Sequence, residues 1–318
     1  MKERKLGKTG IVIPPIAVGC MRIAGKSAAE AECFVKTALE KGLNFFDHAD
    51  IYGGGRSEEV FSKAVGMNED MREKLILQSK CGIVSGMYDS SKEHILKSVD
   101  GILSRLGTEY LDVLLIHRPD ALCEPEEVAE AFDILKLSGK VRYFGVSNHN
   151  PGQIRLLQKY LSDPLVVNQL QFSLTNSGMI DCGINVNMEN EASVNRDGGV
   201  LDFCRYEDIT VQAWSPLQYG FFSGVFIDDP KFPELNASLE KIAARYSVSK
   251  TTIAIAWILR HSAGMQVVTG TTNPDRLAQC AAAADVTLTR EEQETSCLSS
   301  FFSIGAKVNK IRTKKRKK

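Results

Sequence analysis

Short apolar runs of Val, Ile, Leu and Phe recur along the chain and alternate with amphipathic segments of helical period. Eight of these runs predict β-strands, near residues 16–19, 43–46, 74–79, 111–116, 141–146, 166–169, 209–213 and 266–269. Helical periodicity lies between and after them, near residues 28–41, 57–66, 91–106, 125–138, 151–161, 198–206, 236–262 and 274–283. Such alternation is typical of an α/β protein with a parallel sheet. Eight units favour closure into a (β/α)8 TIM barrel over an open sheet.

Two segments fall outside this alternation. At the N-terminus, the extended stretches 4–6 and 11–13 flank the turn sequence Gly7-Lys8-Thr9-Gly10, which predicts a β-hairpin that plugs the barrel. Residues 173–199, after the sixth strand, have no clear periodicity and predict a long loop. Loops of this length in compact domains are usually functional or disordered. Because it follows a barrel strand, we expect it to rise on the face where barrel enzymes carry their chemistry.

The composition is that of a globular protein, with 318 residues of which 43% are hydrophobic and 25% charged. We interpret residues 1–305 as a single domain and residues 306–318 as a basic C-terminal tail. Such a basic run could bind nucleic acid, act as a targeting signal or be a solvated, disordered tail. We favour the disordered tail, because no aromatic residue is present to stack on nucleic-acid bases. Lys+Arg and Asp+Glu each number 39, so the net charge provides no general attraction to nucleic acid or to a membrane surface.

The sequence has no apolar stretch long enough to span a bilayer and no apolar core of a secretory signal near its N-terminus. A cytoplasmic location is therefore predicted. Eight cysteines occur without a Cys-x-x-Cys pair or a His at zinc-finger spacing, which predicts reduced thiols and no metal. The oligomeric state stays open between a monomer and a weak dimer.

Three of the predicted strands lead directly into an ionisable side chain: Asp47, Lys80 and His117. The carboxyl ends of barrel strands meet at one rim, so we expect these residues to converge, together with Tyr52 five positions after Asp47. Each residue alone has an ordinary explanation, as a helix cap, a solvated lysine, a core-edge histidine or a packed loop tyrosine. Their occurrence on three consecutive units favours an active site.

The four residue types suggest a particular chemistry. A tyrosine has an unperturbed pKa of about 10, so it is a poor acid near neutrality unless a cation stabilises its phenolate. Lys80 can supply that charge, and Asp47 would hold the ammonium and limit its desolvation cost. With His117 donating a hydrogen bond to a substrate oxygen, the set suits reduction of an aldehyde or ketone. The hydride must then come from a nicotinamide or flavin. Neither Gly-x-Gly-x-x-Gly nor a P-loop is present, so the cofactor is held another way.

Several spaced motifs carry a family resemblance. They are Phe46-Asp47-His48-Ala49-Asp50-Ile51-Tyr52-Gly53, Gln78-Ser79-Lys80, Leu115-Ile116-His117-Arg118, Gly145-Val146-Ser147-Asn148 and Trp214-Ser215-Pro216-Leu217. In this order they resemble the aldo-keto reductase family, in its bacterial carbonyl-reductase-like branch, over nearly the whole chain. The resemblance implies Tyr52 as proton donor, Lys80 and Asp47 tuning it, and His117 orienting the carbonyl. It also implies an NADP(H)-dependent enzyme of the alcohol dehydrogenase or carbonyl reductase type that converts small aldehydes or ketones to alcohols.

The resemblance further implies which residues surround the cofactor. Ser147, Asn148 and Gln169 match family positions that bind the nicotinamide carboxamide, and Trp214 matches an aromatic ring that stacks on it. The other implied contacts are Gly19, Met21, Arg22, Asp47, Ser215, Leu217, Gly270, Thr271, Thr272, Arg276, Gln279 and Cys280. Backbone N–H groups at a helix N-terminus, with an arginine one turn in, suit a 2′-phosphate. Many family members carry Lys where this chain has Gly270, so a preference for NADP(H) depends more heavily on Arg276.

Two other functions stay open on the sequence. Lys80 at a strand end would serve a Schiff-base aldolase, although Asp47 beside it favours the charged amine, which is not a nucleophile. The second alternative is a non-catalytic accessory subunit that senses the nicotinamide cofactor. The basic C-terminal tail is the feature of the sequence that favours it.

Overall fold

The computed structural model describes residues 4–296. In chain order its strands are β1 (Arg4–Lys5), β2 (Val12–Ile13), β3 (Ile16–Gly19), β4 (Phe45–Asp47), β5 (Ile76–Cys81), β6 (Ile83–Val84), β7 (Met87–Tyr88), β8 (Leu111–Ile116), β9 (Val141–Ser147), β10 (Val167–Gln171), β11 (Thr210–Trp214) and β12 (Gln266–Thr269). Its α-helices are α1 (Ala28–Glu40), α2 (Arg56–Val65), α3 (Glu69–Arg72), α4 (Lys92–Leu106), α5 (Pro125–Leu137), α6 (Pro151–Gln158), α7 (Gly178–Ile184), α8 (Val200–Tyr206), α9 (Pro233–Tyr246), α10 (Lys250–Arg260) and α11 (Pro274–Ala282).

Eight strands close into a parallel barrel, with neighbours in the order β3, β4, β5, β8, β9, β10, β11 and β12, and β12 pairs back to β3. These strands are short and almost entirely buried, as in β8, where all six residues are inaccessible. Their outward side chains pack under the helices, while their inward side chains fill the barrel. The predicted (β/α)8 TIM barrel is confirmed.

The N-terminal hairpin β1–β2 covers one end of the barrel. Its strands pair antiparallel, with Arg4 opposite Ile13. Leu6 and Ile13 belong to one apolar cluster with the barrel residues Phe45 and Val113, and both are at most 1% exposed. The hairpin therefore closes this end of the interior, as predicted, and leaves chemistry to the opposite rim.

One predicted helix is wrong in its extent. The periodic stretch 236–262 forms two helices, α9 and α10, and not one. The chain turns at Ser247, which has a φ of 54°, and the Ser249 side chain then caps α10 by accepting a hydrogen bond from the Thr252 amide at 3.1 Å. Both helices bury an apolar face, so the hydrophobic pattern continues across the break.

The segment after the sixth barrel strand also differs from its prediction as a plain loop. It contains α7 and a 3-10 turn, Glu191–Ser193. The helix α3 and the hairpin β6–β7 were not predicted either, because elements this short show no measurable periodicity.

The predicted basic tail, residues 306–318, lies outside the described residues, as does the end of the proposed domain 1–305. Across residues 4–296, no helix is both long and apolar enough to cross a membrane. The same part of the chain holds no group of His, Cys, Asp and Glu side chains placed to bind a metal ion.

Candidate active site

The barrel brings the predicted ionisable residues together at one rim. Asp47 is the last residue of β4, Lys80 is the second-last residue of β5, and His117 directly follows β8. Lys80 Nζ donates to Asp47 Oδ2 at 2.8 Å, to the His48 carbonyl at 2.7 Å and to Tyr52 Oη at 3.3 Å. The ammonium is thus the centre of the cluster, since it touches both the carboxylate and the phenol.

A turn of three glycines places Tyr52 over Lys80. Tyr52–Gly55 is a 3-10 turn whose three glycines have φ values of 60°, 65° and 91°. Residues other than glycine rarely adopt this left-handed backbone conformation. A Cβ on Gly53 would also lie 2.7 Å from the Ala24 Cβ. The turn lets the chain double back into α2 within four residues, so the phenol points at the ammonium.

Burial and charge set the protonation states of this pair. Burial alone would lower the pKa of Lys80, but the charges and hydrogen bonds of Asp47 and Tyr52 raise it above its usual value. An amine held protonated by three oxygen acceptors is a poor nucleophile, which argues against a Schiff base at Lys80. Burial raises the pKa of the Tyr52 phenol, and the Lys80 charge offsets only part of that rise. Tyr52 therefore carries its proton at neutral pH.

His117 faces the same phenol. The two rings have centroids 5.9 Å apart and meet edge to face. Burial, followed by the charges of Lys80 and Arg118, lowers the pKa of His117 to about 2. The imidazole is consequently neutral near neutral pH, and in that form one of its ring nitrogens carries a proton that it can donate in a hydrogen bond.

For carbonyl reduction, the chemistry predicted from the sequence, we expect the pH profile to show this neutrality. With His117 neutral and Tyr52 protonated, kcat/KM should stay level from about pH 5.5 to pH 7.5, a range in which an ordinary histidine titrates. The measurement is the initial rate at saturating cofactor across that range. His117→Gln, which keeps an N–H donor but cannot titrate, should give a lower profile of the same shape. An inflection near pH 6.5 that disappears in His117→Gln would show that His117 takes up a proton.

The sequence patterns do not predict the buried glutamines Gln78 and Gln212 behind this cluster, and they predict Gln169 only as a cofactor contact. Asp47 Oδ1 accepts hydrogen bonds from Gln78 at 2.6 Å and from Gln169 at 3.0 Å, and both amides also contact Gln212. Gln78 lies in the motif Gln78-Ser79-Lys80, whose predicted functional residue is Lys80. A usable signal was present, because Gln78 and Lys80 are two residues apart and so share the inward face of β5.

The residues predicted around a nicotinamide form a connected chain of hydrogen bonds. Trp214 Nε1 donates to Asn148 Oδ1 at 3.1 Å, Asn148 Nδ2 donates to Ser147 Oγ at 2.8 Å, and Ser147 Oγ donates to the Gln169 carbonyl at 3.0 Å. Asn148 and Ser215 have φ values of 59° and 51°, so both strand ends turn sharply at the rim. Both amide protons of Gln169 are used inside the barrel, which leaves its Oε1 for a ligand.

The loops after the first and last barrel strands lie against each other. Arg22 donates to the Gly270 carbonyl at 2.6 Å, and a Cβ on Gly270 would lie 2.9 Å from that guanidinium. Gly19 is required for a closer contact, since a Cβ there would lie 2.2 Å from the Thr269 carbonyl oxygen. Met21 belongs to the same region, where its carbonyl accepts from Ser57.

The start of α11 has the predicted cap. Asn273 Oδ1 accepts from the Arg276 amide at 2.9 Å, and Pro274 occupies the first helical position. The Arg276 side chain is exposed and has no ion pair with another described residue. Thr271 and Thr272 precede the cap and are half-buried. One turn further on, Cys280 is only 3% exposed in the apolar core, so it has little surface to offer an adenine.

Aromatic side chains lie at the end of β11 and on the loop that follows it. Trp214 and Phe221 pack edge to face, with ring centroids 6.1 Å apart, and Phe221 is 62% exposed. The Arg118 guanidinium lies 6.0 Å from the Trp214 ring and 5.8 Å from the Phe221 ring. Leu217, in the same loop, packs against the core. The two rings and the guanidinium of Arg118, the residue after His117, therefore form one patch at this rim.

Comparison with known families gives one match over nearly the whole described chain. A family model described as the Aldo/keto reductase family matches residues 15–296. A solved structure of similar fold is the thermostable aldo-keto reductase Tm1743 in complex with the inhibitor epalrestat. It has a TM-score of 0.75 and 27% sequence identity, and the alignment covers 94% of this chain and 100% of that one.

Curated relatives include oxidoreductases of bacteria. The 6-dehydroglucose reductase of Agrobacterium fabrum is 35% identical over 87% of this chain and 90% of its own length. The uncharacterized oxidoreductase YcsN of Bacillus subtilis is 38% identical over 79% and 82%, respectively. The NADH-specific methylglyoxal reductase of Escherichia coli is 28% identical over 92% and 99%.

Proposed function

The chain belongs to the aldo/keto reductase family, and from that premise we propose that it is an NADP(H)-dependent carbonyl reductase in which Tyr52 is the proton donor. The observation that carries the proposal is the Lys80 ammonium, which bridges the Asp47 carboxylate and the Tyr52 phenol inside the rim. Amino-acid side chains supply the proton and the orientation, and a bound nicotinamide would supply the hydride.

The residues divide the work of reduction between them. The neutral His117 donates a hydrogen bond to the carbonyl oxygen, which places the carbonyl next to Tyr52. As negative charge develops on that oxygen, Tyr52 transfers its phenolic proton to it, and the alcohol forms. The phenolate left behind is stabilised by Lys80 at 3.3 Å until solvent returns the proton. Asp47 keeps Lys80 in place throughout.

The residues present fit a nicotinamide dinucleotide. Ser147, Asn148 and Trp214 form one hydrogen-bonded set at the C-terminal rim of the barrel strands, the rim that also carries Asp47 and Lys80. After β12, the neighbour of β11 in the barrel, the capped N-terminus of α11 presents backbone N–H groups and the exposed Arg276 guanidinium. An anionic adenosine phosphate suits that end. The relative from Escherichia coli is named as NADH-specific, so the choice of NADP(H) here depends on Arg276.

Replacing Arg276 tests the cofactor proposal. We expect Arg276→Ala to raise the Kd for NADPH by about 10- to 100-fold, because a charge-assisted bond to the 2′-phosphate is worth about 1.5 to 3 kcal/mol. The Kd for NADH should not change, since NADH has no 2′-phosphate. Quenching of Trp214 fluorescence on titration with each nucleotide measures both constants.

A matched control is Arg155→Ala, which removes an exposed arginine from α6 on another side of the barrel. It should bind both nucleotides as the parent does. An equal rise in the Kd for NADPH and the Kd for NADH in Arg276→Ala would mean that the Arg276 side chain does not bind the 2′-phosphate. An unchanged NADPH Kd would remove Arg276 from the cofactor site.

The accessory-subunit alternative makes a different prediction about turnover. A sensor would bind NADPH and consume almost none, whereas the reductase should oxidise NADPH in proportion to added aldehyde or ketone. A panel of aldehydes and ketones, followed by NADPH absorbance, distinguishes the two. The proposal also includes a small-molecule carbonyl substrate, a cytoplasmic location and no nucleic-acid partner. Light scattering distinguishes a monomer from a weak dimer.

A further inference from the structure

Four glutamines cross the interior of the barrel behind Asp47. Gln78, Gln169, Gln212 and Gln266 lie on β5, β10, β11 and β12, and none is more than 4% exposed. The interior layers of such barrels are usually filled by branched apolar side chains. Amides in this position must be hydrogen-bonded to be tolerated, so their partners indicate what they do.

The glutamines nearest Asp47 form a closed set of bonds. Gln78 Nε2 and Gln169 Nε2 each donate twice, to Asp47 Oδ1 and to Gln212 Oε1, with the bonds to Gln212 at 2.8 and 2.9 Å. Gln212 Nε2 returns a bond to Gln78 Oε1 at 3.1 Å. One acceptor atom of Gln212 therefore determines where both donors to Asp47 stand.

The end of the hydrogen-bonded glutamine series that lies farthest from Asp47 determines the orientation of each side-chain amide. Gln212 Nε2 donates to Gln266 Oε1 at 2.8 Å, and Gln266 Nε2 donates to the Pro14 carbonyl at 2.8 Å. Pro14 and the Asp47 carboxylate can only accept, so the two ends dictate the same order of donors and acceptors. A flip of Gln212 would set its Nε2 against the donors of its neighbours and its Oε1 against Gln266 Oε1.

This order has a consequence at the rim. Two amide donors occupy Asp47 Oδ1, so only Oδ2 is left for Lys80, at 2.8 Å. The remaining N–H of Lys80 is then free to reach Tyr52. If the amides moved away, Oδ1 would be a buried acceptor without a partner, which is costly. The carboxylate would relieve this by turning both oxygens toward Lys80 and drawing the ammonium away from Tyr52.

We propose that Gln212, backed by Gln266, is a positioning residue that orients Gln78 and Gln169 so that Asp47 meets Lys80 through one oxygen. The inference rests on the proposed function, because its effect on catalysis passes through Tyr52 as proton donor. Gln212 itself lies below the rim and does not touch the reacting atoms.

The first test is Gln212→Leu, which keeps a similar side-chain volume and removes the amide. Ionisation of Tyr52 is measured by alkaline spectrophotometric titration, as the difference between each protein and the same protein carrying Tyr52→Phe. We expect the Tyr52 midpoint to rise by about 0.5 to 1 pH unit as the Lys80 charge withdraws. This titration needs no substrate, so it tests the network even if no carbonyl in the panel is reduced.

The second test separates positioning from general stability by a double-mutant cycle. We expect Gln212→Leu to lower kcat by about 10-fold, less than the roughly 100- to 10,000-fold that a directly acting acid–base group contributes, because Gln212 acts only through Asp47 and Lys80. In an Asp47→Asn background the same change should have little further effect, because the residue through which it acts is already altered. Gln266→Leu, one link further away, should give a smaller loss that also disappears in that background. If Gln212→Leu does not fold, the effect of Gln266→Leu on kcat is compared between the Asp47 and Asp47→Asn backgrounds instead.

The control is Gln158→Leu, which removes two amide hydrogen bonds on the outside of the barrel. It should change neither the Tyr52 midpoint nor kcat. The proposal is overturned if Gln212→Leu lowers kcat by the same factor with Asp47 and with Asn at position 47. It is equally overturned if the Tyr52 midpoint does not move in a folded Gln212→Leu or Gln266→Leu protein.

Discussion

Tyr52→Phe should reduce kcat for carbonyl reduction by about 1,000-fold, a loss typical of removing a general acid. The substitution keeps the ring and its packing against His117, with centroids 5.9 Å apart, and deletes only the hydroxyl that would give up the proton. Lys80 retains its bonds to Asp47 and to the His48 carbonyl, so the ion pair survives. The measurement is single-turnover oxidation of NADPH at saturating aldehyde.

Cofactor binding provides the internal comparison for this variant. NADPH should still quench Trp214 fluorescence in Tyr52→Phe with a Kd close to that of the parent, because no predicted cofactor contact has been removed. Tyr110→Phe is the matched control. Its ring is packed between the Arg72 and Arg142 guanidinium groups, away from Lys80, so turnover should not change. Parent-like turnover in Tyr52→Phe would exclude Tyr52 as the proton donor.

The barrel and its rim could be predicted because their signals are local. Each barrel strand is a short apolar run, and a residue that follows such a run in a parallel barrel has only one rim to occupy. The sequence alone places Asp47, Lys80 and His117 at this rim in this way. The turn at Ser247 escaped prediction because it is a single left-handed residue within a continuous apolar pattern.

The inward direction of Gln78 could be read from its spacing to Lys80, but the contacts among the glutamines could not be predicted, for a different reason. Gln212 and Gln266 lie side by side only through the pairing of β11 with β12, and they reach Asp47 only because the barrel closes. The sequence shows that each amide interrupts an apolar strand, but not which strands face each other across the interior. The pKa of Tyr52 also depends on the fold. Lys80 lowers this pKa, as expected from the sequence, but burial of the phenol raises it by more, and the extent of burial cannot be deduced from the sequence.

Lys80→Met should inactivate the protein and destabilise it. Without the ammonium, the Tyr52 phenolate loses its counter-charge, and kcat should fall by about 1,000-fold or more. Asp47, which is 2% exposed, would become a buried carboxylate without its ion-pair partner. Breaking a buried pair on one side typically costs about 3 to 5 kcal/mol of unfolding free energy, which urea denaturation measures. Lys92→Met, on an exposed pair with Glu130, should alter neither property.

The double variant Asp47→Asn/Lys80→Met separates the two losses. Removing both charges eliminates the uncompensated carboxylate, so most of the lost unfolding free energy should return, because replacing both members of a buried pair is often nearly neutral. Activity should not return, since no cation is left beside Tyr52. Recovery of turnover together with stability would mean that Lys80 serves only the packing of the barrel. Recovery of stability alone would assign Lys80 to the chemistry, with Asp47 as the group that makes its burial tolerable.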